Sequence, residues 1–232
     1  MRYWDNLPEF MRITEVKPYW QSLYQKRTQI FFKRVIDCAL AFLILVLMLL
    51  PMAVIAILIK ADSKGSVFFR QERITAYGKH FRIHKFRTMV ADAERRGAAI
   101  TSDNDNRITK IGRFLRDTRL DEIPQLIDIL EGNMSFVGTR PESVKYVNQY
   151  DPEYFATLLL PAGITSEASI AYKDEALLLT AGDDVEKQYI DTVLPEKMRI
   201  NLQALKDFSI AGDISVMFTT VFAVLKRKND QK

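Results

Sequence analysis

The 232-residue chain has one cysteine, Cys38, and two histidines, His80 and His84. A single thiol excludes a disulfide framework and a multi-cysteine zinc site, and two histidines leave little for a histidine-rich metal centre. Glycine is sparse, at nine residues, and no GxxxxGK[ST] loop or GxGxxG turn occurs, so the ordinary nucleotide-binding folds are disfavoured. Internal repeats, low-complexity tracts and a clear linker are also missing. What is present suffices for a core: 48% of residues are hydrophobic and 27% charged, which excludes wholesale disorder.

The net charge of +4 is unevenly spread. Residues 60–119 carry 15 basic and 7 acidic side chains, whereas residues 120–232 carry 11 and 18. The basic part surrounds a hydrophobic run, which suggests an anionic bilayer leaflet rather than nucleic acid as partner.

That run, Cys38 to Ile59, is 22 residues without a charge. At about 1.5 Å per residue it can cross a hydrocarbon core of roughly 30 Å. It has no polar face, and it is too long and too far inside the chain for a signal peptide. Pro51 should kink or break the helix. Lys33 and Arg34 precede the run, and Lys60, Lys64, Arg70 and Arg73 follow it. Positive charge at both ends favours both on the cytoplasmic side, as in a bent helix that enters and returns. A straight spanning helix with a tolerated proline fits about equally well. Asp37 should pair with a nearby arginine or sit at the interface. Residues 1–32 hold both tryptophans, Trp4 and Trp20, among many aromatics. Such an arm suits the headgroup region, although a packing helix in the body of the protein explains it nearly as well.

Beyond the run, residues 67–74 and 80–90 read as two strands joined by a turn at Ala76–Lys79. Alternation places His80, Arg82 and His84 on one basic face, solvated or touching phosphate rather than binding a metal. Residues 91–106 read as a polar loop. Residues 107–117 form a short basic amphipathic helix suited to a membrane surface or an ordinary one. A helix from Glu122 to Glu131 follows, with Pro124 in its first turn and Gly132 ending it. Further helices are expected over 185–206 and from Asp213, as N-cap, to Lys228.

Asp121 and Glu122 lie in RDTRLDE, behind Arg116 and Arg119, and Arg140 follows in a Gly/Pro loop. Two acids at a helix start usually only stabilise the helix. With arginines converging on them beside a membrane anchor, they suit phosphate chemistry: arginines neutralise phosphate, one carboxylate holds a divalent cation and the other can attack phosphorus.

These stretches resemble the bacterial sugar transferase family of monotopic phosphoglycosyl transferases. The resemblance is carried by FFKRVIDCALAF, the apolar run with Pro51, VFFRQERI, FRIHKFRTM, ITKIGRFLRDTRLDEIPQLIDILEGNMSFVGTRP and GIT at 163–165. It covers residues 31 to 165, with a weaker match in the C-terminal helices. It implies an α+β, mainly helical, monotopic membrane protein. Its parts would be a re-entrant N-terminal helix broken near Pro51, a small β-hairpin and interfacial amphipathic helices. The expected division is an aromatic-rich interfacial arm over 1–32, the re-entrant helix over 33–60 and a cytoplasmic catalytic domain over 61–232.

The implied reaction moves a phosphosugar from a UDP-sugar to polyprenol phosphate at the cytoplasmic face of the bacterial inner membrane, with release of UMP. The family nucleophile falls on Asp121 and the Mg²⁺-holding acid on Glu122, while Arg116 and Arg140 fall near the phosphate site. Lys85 and Arg87 are further candidates for binding the two anionic substrates. A homo-oligomer is compatible with this reading, nucleic acid is not an expected partner, and a catalytically silent membrane scaffold of the same fold is the alternative. The chain departs from the family pattern at Thr139, where Gly-Pro-Arg-Pro is usual, and at Ala162 and Ser166, where Arg-Pro-Gly-Ile-Thr-Gly is usual.

Overall fold

The computed structural model describes residues 1–93, 105–172 and 185–230. Most of the polar loop expected over 91–106 therefore lies outside the described residues. In chain order the main elements are helices α1 (Lys17–Gln25) and α2 (Arg27–Asp62), strands β1 (Phe68–Ile74) and β2 (His80–Phe86), and helices α3 (Lys110–Asp117) and α4 (Gln125–Leu130). Strand β3 (Met134–Val137), helix α5 (Val144–Val147), strand β4 (Ala162–Thr165) and helix α6 (Glu167–Ala171) follow. The described chain then closes with α7 (Val185–Gln188), a π-helical turn over Tyr189–Val193, α8 (Leu194–Lys206) and α9 (Ile210–Asp230). Among the described residues the β content is two small sheets, antiparallel β1–β2 and parallel β3–β4, so the fold is α+β and mainly helical.

Helix α2 is the one described helix long and apolar enough to cross a membrane. Its mid-section presents Phe42, Leu43, Leu47, Leu50 and Ile57 outward, Leu50 at 75% exposure. Pro51 does not interrupt it, for helical backbone runs from Arg27 to Asp62. A proline removes one amide donor, and the Leu, Met, Ala and Ile around it hold the helix on both sides. Both ends of the apolar run are anchored on the domain. Ala41 packs with Leu126, Ile129 and Met134, whereas Ile55 and Ile59 pack with Phe86 and Leu115.

The N-terminal residues do not form a separate arm. Leu7, Met11, Val16, Tyr19 and Leu23 are buried in one core with Leu158, Leu159, Leu202 and Phe208. Trp20 stacks on Tyr24, and Trp4 meets Trp20 edge-on. Tyr19, Trp4 and Trp20 serve packing, because apolar residues at helical spacing bury surface against the domain, whereas Tyr3, Phe10, Phe31 and Phe32 stay exposed.

The β1–β2 hairpin matches the expected turn, with Tyr77 at φ 60 and Gly78 at φ 72, but β2 ends at Phe86 rather than at 90. Past it, Thr88 and Met89 pair instead with Ile108–Thr109 at the entry to α3. The expected solvated face of β2 also fails at His84. That ring is buried, and Asp128 Oδ1 and Oδ2 accept from its Nδ1 at 2.8 Å and from its backbone N–H at 2.9 Å. Helix α9 starts at Ile210, so Asp213 is not its N-cap; its carboxylate meets Lys33 Nζ at 2.6 Å. Asp37 pairs with Lys33 at 3.4 Å and accepts from Ser135 Oγ, so its cation is a lysine rather than an arginine.

Candidate active site

The site forms where α3 hands over to α4. Thr109 caps α3 by accepting from Gly112 N–H, and Leu115 anchors the helix in the core. The backbone then turns left-handed at Arg119 (φ 58), a conformation costing roughly 1–2 kcal/mol for a residue with a Cβ. Leu120–Glu122 follow as a 3₁₀ turn, and α4 begins only at Gln125, after Pro124. The two acids thus sit on the tight turn before the helix and not in its first turn. This is a correction to the expected start at Glu122. The φ reversal at Arg119 turns the chain sharply before α4.

Glu122 is buried, and its Oε1 accepts from Lys85 Nζ at 2.8 Å and from Arg140 Nη2 at 2.7 Å. These two cations outweigh burial and hold its carboxyl well below the usual range. Asp121 stands in the opposite condition. Its Oδ1 is buried with no hydrogen-bond partner among the described residues. Burial first, and then the charge of Glu122, push its carboxyl above the usual aspartate range, against the pull of Lys85, Arg119 and Arg116. Burial lowers Lys85, and Glu122 opposes this; Glu122 raises Arg140 further.

Arg140 is aimed by a loop pinned at several points. Gly138 N–H donates to Thr165 O and Gly163 N–H to Thr139 O. The two backbones come so close that a Cβ on Gly163 would lie 2.2 Å from Gly138 N, so only glycine fits there. Thr139 contributes a carbonyl, which proline also has, so this departure from the family pattern preserves the bond. Ala162 N–H donates to Thr75 Oγ1, and Ser166 caps α6 by accepting from Ser169 N–H.

Lys85, Glu122 and Arg140 therefore meet, with Asp121 beside them. Arg116 is mostly buried, donates from Nε to Thr88 Oγ1 at 2.9 Å and lies in the field of Asp121. Arg87 does not join them through any described hydrogen bond. Its guanidinium donates to the carbonyls of Ser63 and Lys64, at 2.7 Å and 2.9 Å, and so holds the exit of α2. Sequence reasoning missed Arg34, whose guanidinium donates to the carbonyls of Ile129 and Met134 and closes the C-terminal end of α4. It also missed the Asp128–His84 pair that fixes β2 and so Lys85. Only a carboxylate six residues after Glu122 hinted at that pair. His84, Asp128 and Glu131 have ligand atoms within 4.8 Å of one another, but both Asp128 oxygens are engaged by His84 and Glu131 Oε2 accepts from Asn133.

An unpaired carboxylate set next to a neutralised one, under arginines, is an arrangement suited to phosphate groups, and it lies in a chain with one described helix long and apolar enough to cross a membrane. The two acids offer hard oxygen donors, one of them the unpartnered Asp121 Oδ1, and such donors fit a hard divalent cation. The family model described as bacterial sugar transferase matches residues 28–227, and the chain belongs to that family. It is 32% identical over 207 residues to a UDP-N-acetylgalactosamine-undecaprenyl-phosphate N-acetylgalactosaminephosphotransferase of Aeromonas hydrophila, covering 88% of this chain and 46% of that one. It is 36% identical to a UDP-glucose:undecaprenyl-phosphate glucose-1-phosphate transferase of Escherichia coli K12, covering 82% and 39%. A Caulobacter vibrioides protein with that same description is 30% identical, covering 85% and 71%. The chain thus spans less than half the length of the first two relatives.

Proposed function

We propose that this chain is a phosphoglycosyl transferase that moves a sugar 1-phosphate from a UDP-sugar to a polyprenol phosphate, such as undecaprenyl phosphate. The observation that carries the reading is the unequal carboxylate pair: Asp121 half-buried with its Oδ1 enclosed and unpartnered, Glu122 neutralised by Lys85 and Arg140. Family membership and the descriptions of the relatives support the same reaction class.

An Asp121 oxygen attacks the β-phosphorus of the donor, the bond from that phosphorus to the bridging oxygen breaks, and UMP leaves with the electron pair. A phosphate oxygen of the polyprenol phosphate then attacks the aspartyl phosphosugar. Asp121 leaves as a carboxylate and a polyprenyl-diphosphate-sugar forms. Arg140 and Arg116 offset the charge gathering on the phosphoryl oxygens, with Lys85 behind Glu122. Mg²⁺, held through Glu122, would spread the diphosphate charge and ease departure of UMP.

The membrane mode we infer is monotopic and re-entrant. Its support is that residues on both sides of Pro51, Ala41 before it and Ile55 and Ile59 after it, are packed on the same domain, while Phe42, Leu43, Leu47, Leu49 and Leu50 between them are exposed. Helices α3 and α9 then lie at the interface, with Phe114, Phe218 and Phe222 directed outward. The active site sits at the cytoplasmic face, where a water-borne donor and a lipid acceptor can meet without either crossing.

The deciding assay supplies Mg²⁺, undecaprenyl phosphate and a panel of UDP-sugars, and reads UMP release together with the intact mass of the protein. UMP release and a phosphosugar adduct on Asp121 are expected. No release from any donor by folded protein would favour the silent scaffold.

A further inference from the structure

Arg140 lies near a second buried carboxylate besides Glu122. Glu142 stands two residues on, 8% exposed, and its charge also raises Arg140. A free carboxylate at that range would compete with Glu122, and with any phosphate, for the same guanidinium. The structure shows Glu142 held. Tyr189 O–H donates to Glu142 Oε1 at 2.8 Å, Lys197 Nζ donates to the Tyr189 oxygen at 3.1 Å, and the lysine lies 3.9 Å from Glu142 Oε1. Tyr189 and Lys197 are themselves buried. The backbone is fixed as well: Ile74 N–H donates to Glu142 O, and Arg73 Nη1 donates to Pro141 O.

Tyr189 begins the π-helical turn Tyr189–Val193. A π turn inserts an extra residue and rotates the side chains that precede it, and such turns often mark functional positions. Here Tyr189, the first residue of the turn, and Lys197, in the helix that follows it, meet at a single phenol oxygen.

We propose that Tyr189, backed by Lys197, is a positioning residue: its hydroxyl holds Glu142 aside and thereby keeps Arg140 on Glu122 and open to phosphate. This rests on the reading of Arg140 as a phosphate-holding group. It adds that the C-terminal helical segment, through one hydroxyl, sets the aim of an active-site arginine. Removing the hydroxyl leaves Glu142 Oε1 short of a donor in a buried place, with Lys197 Nζ 3.9 Å away, and lets the carboxylate swing toward Arg140 and Arg73, which already feel its charge.

The test compares full-length wild type with Tyr189→Phe, Lys197→Met, Lys197→Arg and Val193→Ala, the last a cut in the same apolar cluster. One readout needs no substrate: the rate at which phenylglyoxal modifies Arg140, mapped by mass spectrometry, with exposed Arg199 as internal reference. Tyr189→Phe should change the Arg140 rate several-fold and leave Arg199 alone, Lys197→Met should do the same more weakly, and Lys197→Arg should restore wild-type behaviour. In turnover, Tyr189→Phe should lower kcat/KM about tenfold, with a raised donor KM. Val193→Ala should lower the melting temperature while sparing both readouts. An unchanged Arg140 rate in folded Tyr189→Phe overturns the proposal, and so does an equal change in Val193→Ala, which would mean packing alone. If wild type releases no UMP while Tyr189→Phe still changes the Arg140 rate, the reaction assignment falls and the positioning role stands.

Discussion

Asp121 and Glu122 share a peptide bond, yet Glu122 Oε1 accepts two charged hydrogen bonds, from Lys85 and Arg140, while Asp121 Oδ1 is buried with none. The fold compensates one charge and leaves its neighbour uncompensated. An ionised carboxylate held in this way costs stability, and the nucleophilic role proposed for Asp121 would offset that cost with reactivity.

Asp121→Asn should therefore abolish UMP release and also stabilise the protein. At neutral pH the raised carboxyl is ionised in the unfolded chain and disfavoured as an anion in the folded one, so an uncharged amide relieves a cost of about 1–3 kcal/mol. The gain should shrink as pH falls through the raised folded-state pKa, where the native carboxyl takes up its proton. Melting curves of both proteins across pH, beside the UMP assay, check this; a less stable Asp121→Asn protein would contradict it.

The pH–rate profile follows from the same pair. The proposed attack requires Asp121 to be ionised, so under that mechanism the acid limb of kcat/KM should lie above the ordinary aspartate value of about 3.9. The two acids titrate as a unit, and the limb reports the pair. Arg116→Gln removes a cation that lowers Asp121, so it should move the limb to higher pH. A limb that stays in place would show that Arg116 does not act on Asp121 in solution.

Much of this was legible in the chain because local rules govern it. The apolar run from Cys38 to Ile59, the hairpin turn at Ala76–Gly78 and the α4 stop at Gly132 depend on composition or on residues a few places apart. The Asp121–Glu122 doublet and Arg140 were legible as a motif, but the pairing of Arg140 with Glu122 alone and the unequal states of the two acids were not. Those depend on Lys85, brought by strand β2 across 37 residues, and on burial. Arg87 misled because a basic residue near a phosphate site and one closing a helix exit look alike in sequence. The aromatic N-terminus stayed ambiguous in sequence, since amphipathic spacing does not say whether lipid or a second helix covers the face; Tyr19 and Trp20 pack on the domain while Phe31 and Phe32 are exposed.

Lys85→Met tests the support of Glu122. Arg140 remains as a partner, so the loss should be about 1–3 kcal/mol rather than that of a fully orphaned charge. Glu122 is depressed in the native state, so the stability it contributes is present above the ordinary glutamate range and lost as pH falls below it. The variant should soften this acid loss, read as a smaller pH slope of the melting temperature under acid conditions. An unaltered slope would mean that Lys85 contributes little to the Glu122 charge.

Gly112→Ala probes the seat of Arg116. A Cβ there would lie 2.0 Å from the Thr88 carbonyl oxygen, so α3 must move off the backbone that follows β2. The same shift draws Arg116 Nε from Thr88 Oγ1. Overpacking of this kind costs about 1–3 kcal/mol. A lower melting temperature and reduced UMP release are expected together, and a fully active, equally stable variant would show that α3 tolerates the displacement.

The last prediction concerns the two ends of α2. Thr28 and Lys64 are exposed and lie on either side of the apolar run. In a Cys38→Ser background, Thr28→Cys and Lys64→Cys should both react with a membrane-impermeant maleimide in inside-out vesicles, and neither should react in right-side-out ones. A straight span must separate them, because a helix of 36 residues is about 54 Å long and the hydrocarbon core only about 30 Å. The domain argues for the same side: Arg34 closes α4 from one end of the helix, and the Asp62 carboxylate accepts from Ile111 N–H of α3 at the other. Pro51→Leu restores the missing amide donor and favours a straight helix, which would pull one of these contacts apart. Labelling of the two positions from opposite faces in that variant, with loss of UMP release, would tie Pro51 to the same-side placement of both ends and to the assembly of the site. Opposite-face labelling in the unaltered Pro51 background would refute the re-entrant arrangement.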